Sequence, residues 1–300
     1  MPGRICGLCK GKLRLPLFAQ IKSQFFARLS MDFAPAIRYP KSTARKKNRK
    51  VINMTEYERL LDDLKSLGVQ PGDTVLVHSS MKALGTALTP EEVITALQSA
   101  VGEEGTLLLP ALTYENVTPT HPVFESDKTE PCIGLLPRTF MHMPGVERSV
   151  NPTHSVCARG RLAHTLTVGH AMDDCAVGPH SPFMLLPVYG GKLLFIGEVL
   201  HACTFMHGVE EIVRPPYLRP IGSQRYIVDG QEREYRASDD YGWGQEFQRI
   251  EEILEEPDIR KGKLLNADST LIDSRALLAA GLAKMRAEPY SFVTDISKWI

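Results

Sequence analysis

Several familiar signatures are missing from this sequence of 300 residues. It contains no apolar run of about 18 residues, the length that a membrane-spanning helix requires, so no membrane span is expected. The hydrolase elbow G-x-S-x-G, the Walker loop, the dinucleotide fingerprint G-x-G-x-x-G and the zinc-protease pattern H-E-x-x-H are also absent. The protein classes that depend on these motifs are therefore excluded, and the chemistry of the chain must come from other residues.

Cysteine is sparse as well, with six residues dispersed at positions 6, 9, 132, 157, 175 and 203. So few thiols do not make a disulfide scaffold, and we expect them to be reduced in a cytoplasmic protein. Cys6 and Cys9 form half of a zinc-binding pattern, but no second C-x-x-C and no nearby histidine pair completes it. We therefore expect no metal site.

Charge is unevenly distributed, although 35 basic and 35 acidic residues give a formal net charge of zero. Residues 1–53 contain 13 Lys and Arg and one acidic residue, which leaves 22 basic and 34 acidic residues in 54–300. The acidic body argues against nucleic acid as a partner and suits a cationic substrate.

The basic segment 1–53 resembles an organelle presequence or a basic arm, because it is rich in Arg and poor in acidic residues. An extension from a start codon upstream of Met54 explains it equally well. We expect residues 1–53 to be a poorly ordered extension and residues 54–300 to form a single domain.

Local signals predict alternating strands and helices from Met54 onward. Capping boxes at Thr55–Glu58 and Thr89–Glu92 predict two helix starts, and Asp229-Gly230 predicts a hairpin over 223–236. Apolar patterns predict buried strands at 74–78, 106–110, 154–158 and 192–197, and helices at about 241–256 and 274–287. This order predicts an α/β fold with a central, mostly parallel or mixed sheet flanked by helices and with an antiparallel hairpin insert.

The stretch HACTFMHGVEE follows the predicted strand at 192–197. On a helix, His207 shares one face with Glu210 and Glu211, which lie three and four residues further on. Thr204 is well placed to cap that helix. The group can be a general base with its orienting acid, a metal site or a solvated helix face, and these residues alone leave the choice open.

Polar residues also end the first predicted strand, as His78, Ser79 and Ser80. Open α/β sheets place ligands at the carboxyl edge of their strands, and the helix that follows can offer N–H groups to a phosphate or a carbonyl oxygen. Ser79 or Ser80 can equally be a simple N-cap.

Two further polar clusters have a structural and a functional interpretation. Arg148, beside Ser149, is either a phosphate contact or a surface ion pair. Asp173 and Asp174 either attract an ammonium group or belong to a capped turn.

Six segments resemble, in order, successive parts of the aminoglycoside 3-N-acetyltransferase family. They are GVQPGDTVLVHSSMKALG (68–85), GTLLLPALTYE (105–115), PGVERSVNPTHSVCARG (144–160), GHAMDDCAVGPHSPF (169–183), GGKLLFIGEVLHACTFMHGVEE (190–211) and RKGKLLNADSTLIDSRALLAAG (260–281). The resemblance runs over about residues 54–292 and leaves out the basic extension. It implies the family's α/β fold and an acetyl-CoA-dependent N-acetyltransferase without a metal, which acetylates the 3-amino group of an aminoglycoside.

The resemblance also implies catalytic roles. In the family, the histidine of T-x-x-H-x-x-E is the general base and the histidine of H-S-S lines the active site, which implies these roles for His207 and His78. Thr204 and Glu210 match the accompanying hydroxyl and carboxylate.

The expected ligand contacts fall into two sets. Contacts to acetyl-CoA are expected at Ser79, Ser80, Arg148 and Ser149, because basic residues suit the CoA phosphates. Carboxylates that hold a polycationic amine are expected at Glu115 and, from the resemblance, at Asp174 and Glu211.

Two positions depart from the family pattern. Asn151-Pro152 stands where the family usually has His-Pro, so the role of that imidazole is lost or passes to another residue such as His154. His180 occupies a position that is usually not histidine.

Other functions remain open. The chain can be an acyltransferase of the same family with a different amine as acceptor, or a non-catalytic protein that binds CoA or another ligand. A zinc enzyme built from the scattered histidines is a third alternative.

The expected location is the cytoplasm. The expected partners are a small polycationic amine and acetyl-CoA, and no nucleic acid is expected.

Overall fold

A computed structural model of the protein describes residues 54–297. Its helices are α1 (Glu56–Leu67), α2 (Met81–Leu84), α3 (Pro90–Val101), α4 (Leu135–Met141), α5 (Ala163–Thr167), α6 (Pro182–Leu185), α7 (Phe205–Val213) and α8 (Ser274–Ala287). Shorter 3-10 helices are Val168–Met172, Leu200–Ala202 and Phe247–Glu252.

The starts of α1, α3 and α8 follow the predicted signals. Both capping boxes form, since the Thr55 hydroxyl accepts from the Glu58 N–H and the Thr89 hydroxyl accepts from the Glu92 N–H, each at 3.2 Å. Asp273 starts α8 by accepting from two backbone N–H groups of its first turn.

The strands are β1 (Thr74–Ser79), β2 (Thr106–Pro110), β3 (Val123–Phe124), β4 (Glu147–Arg148), β5 (Val156–Gly160), β6 (Lys192–Ile196), β7 (Arg219–Val228), β8 (Gln231–Asp239), β9 (Trp243–Gln245), β10 (Ile259–Leu264), β11 (Ala267–Asp273) and β12 (Val293–Asp295). Seven of them form the central sheet in the order β10-β11-β6-β1-β2-β5-β4. β1 is parallel to both β2 and β6, and the outer pairings are antiparallel. The prediction of an α/β fold with a mixed central sheet is confirmed.

This topology brings several loops to one edge of the sheet. The carboxyl ends of β6, β1 and β2 meet there because these strands are parallel. The amino end of β5 joins them, since β5 runs antiparallel to β2 with Val156 opposite Pro110. The segment 149–155 therefore faces the loops that follow β1 and β6.

Both faces of the central strands are buried, so each strand is a continuous apolar run. Val75 and Val77 point to the layer of α1 and α3, while Leu76 points to the layer of α7 and α8. The packing of α7 on this second layer fixes the position of its polar residues at the sheet edge.

The hairpin around Asp229-Gly230 is confirmed, and it is longer than predicted. Both turn residues have positive φ, at 47° and 79°, as the two-residue turn requires. The hairpin strands β7 and β8 form a separate three-stranded sheet with β3.

The helix predicted over about 241–256 is wrong. Gly242 adopts a φ of 91°, which interrupts a helix, and β9 pairs with β12 through Gly244 and Thr294. Only the 3-10 helix Phe247–Glu252 follows. Tertiary pairing with a distant segment outweighs the local pattern here.

None of the helices within residues 54–297 combines the length and apolar character that crossing a bilayer requires. The predictions about the basic extension 1–53 and the Cys6–Cys9 pair lie outside the described residues.

Candidate active site

The helix α7 carries the central group of the site. Thr204 directly precedes it, but the predicted cap is wrong: Thr204 has helical φ and ψ of −57° and −26°, and its side chain makes no capping hydrogen bond. The Thr204 hydroxyl, which is buried, instead lies 3.4 Å from the Ala202 carbonyl oxygen. α7 therefore continues from the preceding 3-10 turn and extends away from the end of β6.

A hydrogen-bonded chain joins His207, Glu210 and Tyr217. The His207 Nδ1 lies 2.7 Å from the Glu210 Oε2, and the Tyr217 hydroxyl donates to the Glu210 Oε1 at 2.8 Å. The Glu210 side chain is only 3% exposed, whereas the His207 side chain is 29% exposed. Burial and the neighbouring Glu210 raise the pKa of Tyr217, so its hydroxyl stays protonated and continues to donate.

This chain fixes the tautomer of the imidazole. A carboxylate only accepts hydrogen bonds, so the Glu210 oxygen holds the proton on the His207 Nδ1. The Nε2 then carries the lone pair and can accept a proton, and the buried carboxylate stabilises the resulting imidazolium. The arrangement has the geometry of a base and its orienting acid.

Aromatic rings surround the imidazole. The His207 ring makes T-shaped contacts with two rings, that of Phe247 at a centroid distance of 5.1 Å and that of His154 at 6.0 Å. The His154 Nδ1 lies 2.9 Å from the Thr153 hydroxyl, and burial lowers the pKa of His154 to about 3. His154 therefore stays neutral at physiological pH and adds no charge beside His207.

Asn151 has a structural role in the loop before β5. Its amide oxygen accepts from the backbone N–H groups of Thr153 and His154 at 3.1 and 2.9 Å. Its amide nitrogen donates to the Cys175 carbonyl at 2.9 Å. These bonds orient the His154 ring toward His207.

His78 lies at the end of β1, stacked on Phe195 with a centroid distance of 5.0 Å and an interplanar angle of 5°. It is buried, and its Nε2 has no hydrogen-bond partner within residues 54–297. Burial, with a smaller contribution from His201, lowers its pKa to about 3. A buried ring nitrogen without a partner is costly, so this atom is suited to a polar ligand.

Ser79 and Ser80 lie beside it at the carboxyl edge. Ser80 caps the short helix α2, because its hydroxyl accepts from the Ala83 N–H at 3.2 Å. The Ser80 N–H donates to the Ile196 carbonyl at 2.9 Å, so that group is already occupied.

Asp174 and Glu211 lie close together, and two arginines form ion pairs with them. Arg236 donates to Asp174 at 2.8 Å and lies 3.5 Å from Glu211, and Arg214 forms a second ion pair with Glu211. We call Asp174, Glu211, Arg214 and Arg236 the rim network. Glu115 lies apart from it, exposed in the loop after β2.

Arg148 is half-buried, and its guanidinium is hydrogen-bonded to groups inside the fold. It donates to the Ser155 hydroxyl at 2.9 Å and to the carbonyl oxygens of Thr129 and Ala111 at 2.6 and 3.0 Å. The buried Ser149 hydroxyl lies 2.9 Å from the His170 Nδ1 and accepts from the Val156 N–H. The hydrogen-bonding groups of Arg148 and Ser149 are therefore used within the fold. The structure does not bring them into the group around His207 as free donors.

Two functional candidates were missed from the sequence. Tyr217 contacts Glu210 from seven residues away, beyond a proline pair that ends the helical pattern. Asp240, directly after β8, interacts electrostatically with His207, and burial raises its pKa. An Asp after a predicted hairpin gives no signal for a site, since its position depends on how the hairpin packs.

Within the described part of the chain, no three or more His, Cys, Asp or Glu side chains are grouped in a way that could hold a metal ion.

The fold and the site define an open α/β protein with a paired histidine and carboxylate at the carboxyl edge of its parallel strands. A family model described as aminoglycoside 3-N-acetyltransferase matches residues 76–286. The chain is 33% identical over 261 residues to aminoglycoside N(3)-acetyltransferase VII of Streptomyces paromomycinus, with 76% of this chain and 90% of that protein covered. It is 34% identical over 205 residues to aminoglycoside N(3)-acetyltransferase III of Serratia marcescens, covering 62% of this chain and 76% of that protein.

Solved structures agree with this assignment. AAC-IIIb in a binary complex with CoASH superposes with a TM-score of 0.67 at 29% identity, covering 78% of this chain and 97% of that one. A mutant of AAC(3)-IVa in complex with a gentamicin gives a TM-score of 0.66 at 28% identity, covering 78% and 89%. The chain belongs to the aminoglycoside 3-N-acetyltransferase family.

Proposed function

We propose that the protein transfers the acetyl group of acetyl-CoA to the 3-amino group of an aminoglycoside, with His207 as general base. The observation that carries this proposal is the chain of hydrogen bonds from Tyr217 through Glu210 to His207. The names of the relatives, and the CoASH and gentamicin bound to two similar structures, support the substrates.

The chemistry requires a base because an amine attacks a thioester only through its free lone pair. As the nitrogen bonds to the acetyl carbon, the bond between that carbon and sulfur breaks, and the nitrogen loses a proton. The His207 Nε2 accepts this proton, and Glu210 stabilises the positive ring. The proton then leaves the ring for the departing thiolate, which restores the neutral base.

The carbonyl oxygen of the thioester gains negative charge during the attack and needs a hydrogen-bond donor. The Ser80 N–H is bonded to Ile196, so it is not available. In our proposal the donors are the buried Thr204 hydroxyl, which gives up its long 3.4 Å contact with the Ala202 carbonyl oxygen, and the Nε2 of His78 when its proton sits on that atom.

Acetyl-CoA fits this edge of the sheet because the unpartnered His78 Nε2 and the hydroxyls of Ser79 and Ser80 are adjacent there. When bound, it supplies the activated acetyl group. We leave Arg148 and Ser149 out of the proposed contacts, since their donors are used within the fold.

The acceptor needs carboxylates around its ammonium groups. Asp240 is a carboxylate that accepts from the Gln245 side chain at 3.2 Å and interacts electrostatically with His207, and we propose that it lies beside the reacting amine. We propose Glu211, Asp174 and the exposed Glu115 as further contacts of the acceptor.

We further propose that residues 54–300 form a single acetyltransferase domain, with residues 1–53 as an extension, and that the enzyme acts in the cytoplasm. The family match within residues 76–286 and the need for acetyl-CoA support these proposals.

Replacing His207 by alanine tests the proposed function. We expect kcat for acetyl transfer to fall about 10²–10⁴-fold, which is the usual contribution of a positioned proton acceptor. Release of the free CoA thiol should be measured with a panel of aminoglycosides and simple polyamines. His164→Ala is the matched control, because the His164 side chain is 75% exposed and pairs with Glu147 on the surface. Near-normal turnover in His207→Ala would remove His207 from the mechanism, and absence of turnover by the wild-type protein with every amine would overturn the function.

A further inference from the structure

The rim network holds four charges of alternating sign beside the proposed acceptor site. Arg236 lies between Asp174 and Glu211, at 2.8 and 3.5 Å, and its backbone N–H also donates to the Asp174 carbonyl at 2.7 Å. Arg214 forms a second ion pair with Glu211. Both carboxylates are therefore already paired with guanidinium groups of the chain itself.

Glu211 connects the network to the helix that carries the proposed base. Glu211 is four residues beyond His207 on α7, so the two side chains share one face of the helix, and Arg214 ends the helix with a left-handed φ of 53°. A cavity of about 600 Å³ opens beyond the C-terminal end of α7, and its lining includes Arg214 and Arg236 but not His207 or the two carboxylates of the network. A cationic acceptor that extends from His207 toward Glu211 therefore approaches the two guanidinium groups that pair with this carboxylate.

We propose that Arg236, assisted by Arg214, determines acceptor specificity by occupying the carboxylates Asp174 and Glu211 and so weakening the binding of highly charged amines. This inference rests on the proposed acetyl transfer. An acceptor ammonium that reaches Asp174 must displace the Arg236 guanidinium, whereas an acceptor with few amines can bind at Asp240 without disturbing the network. The protein therefore favours amines of low charge more strongly than a site with two unpaired carboxylates would.

The expected size of the change in KM follows from how exposed the paired side chains are. Arg236 and Asp174 have side chains that are 46% and 59% exposed, so their pairing is screened by water and salt. Removing one guanidinium should lower KM for a highly charged amine by about three- to tenfold, and raising the ionic strength should reduce that gain.

The experiment compares Arg236→Gln with Arg225→Gln by steady-state kinetics. Arg225 is on the same hairpin and pairs with Glu232 at 3.7 Å, with both side chains more than two-thirds exposed, so its loss changes the net charge equally but outside the network. Gentamicin and the diamine 2-deoxystreptamine serve as acceptors of high and low charge. Arg236→Lys restores the charge, and thermal unfolding of each variant checks the fold.

We expect Arg236→Gln to lower KM for gentamicin by about three- to tenfold, to change KM for the diamine by less than about twofold, and to leave KM for acetyl-CoA unchanged. Arg225→Gln and Arg236→Lys should both resemble the wild type. Equal effects of Arg236→Gln and Arg225→Gln would overturn the inference, because they would reflect net charge alone. A higher KM for acetyl-CoA in Arg236→Gln would also overturn it by assigning the guanidinium to the acyl donor. If Arg236→Gln fails to fold, Arg214→Gln is judged by the same criteria.

The failure of this inference is distinct from the failure of the proposed function. Turnover by the wild-type protein is measured first in the same assay. Activity without a selective effect at Arg236 rejects the specificity role and leaves the acetyl transfer intact.

Discussion

Glu210 and Glu211 are adjacent on α7, yet they belong to two different environments. Glu210 points inward and is bonded to the neutral hydroxyl of Tyr217 and to the ring of His207. Glu211 points to the rim, where Arg214 and Arg236 pair with it. The inner carboxylate thus pairs with an imidazole, while the outer one pairs with two guanidinium groups.

The difference shows how the surroundings decide what a carboxylate does. An arginine beside Glu210 would neutralise it permanently, and the carboxylate could then no longer stabilise a transient charge on His207. At the rim, permanent pairing is tolerated because water solvates the remaining charges. We infer that the inward side of α7, with Glu210, serves proton transfer and that the rim side, with Glu211, serves acceptor choice.

Exchanging each carboxylate for its amide should separate the two roles. In Glu210→Gln, the amide N–H donates to the His207 Nδ1 and moves the ring proton to Nε2, so the base is lost and kcat should fall about 10²–10⁴-fold. In Glu211→Gln, two guanidinium groups lose a partner, so KM for a cationic amine should rise about three- to tenfold with kcat nearly unchanged. Steady-state kinetics of both variants measures this contrast.

The two amide variants serve as controls for each other, since each removes one carboxylate from the same helix. The contrast disappears if Glu210→Gln changes only KM, or if Glu211→Gln lowers kcat as much as its neighbour does. Either result would mean that the two carboxylates of α7 do not have separate roles.

The acid stability of the protein should also reflect its buried interior. Burial lowers the pKa values of His78, His154 and His170 to about 3, 3 and 4, whereas in an unfolded chain these groups titrate near 6.5. The unfolded state therefore binds more protons between these values, so the free energy of unfolding falls as pH decreases through 6.5. Each group should contribute about 1.4 kcal/mol of loss between pH 7.5 and 5.5.

Urea unfolding at several pH values measures this loss, and His170→Gln should reduce it by about one third because one of the three groups is removed. His170 is suited to this test because it bonds to Ser149 and lies outside the proposed catalytic group. A free energy of unfolding that stays constant between pH 7.5 and 5.5 would contradict the buried, neutral state of these rings.

Much of the fold could be predicted because its signals are local. The capping boxes at Thr55 and Thr89, the turn at Asp229-Gly230 and the cap at Asp273 depend on residues within a few positions of each other. The pairing of His207 with Glu210 is also local, since three residues on a helix fix it.

The remaining features depend on contacts between distant segments. Asn151 is bonded to Cys175, Arg236 to Asp174 and Arg148 to Ala111, each more than 20 residues away in the chain. No spacing rule indicates such partners. The sequence alone therefore identifies Arg148 and Asp174 as charged residues but cannot show that their charges are already paired.

The most direct test of the central claim is a double-mutant cycle on kcat with His207→Ala, Glu210→Gln and the combined variant. If Glu210 acts only through His207, the combined variant should be as active as His207→Ala, because the carboxylate has no ring left to orient. If the two losses multiply instead, Glu210 acts independently of His207, and the two residues are not one base.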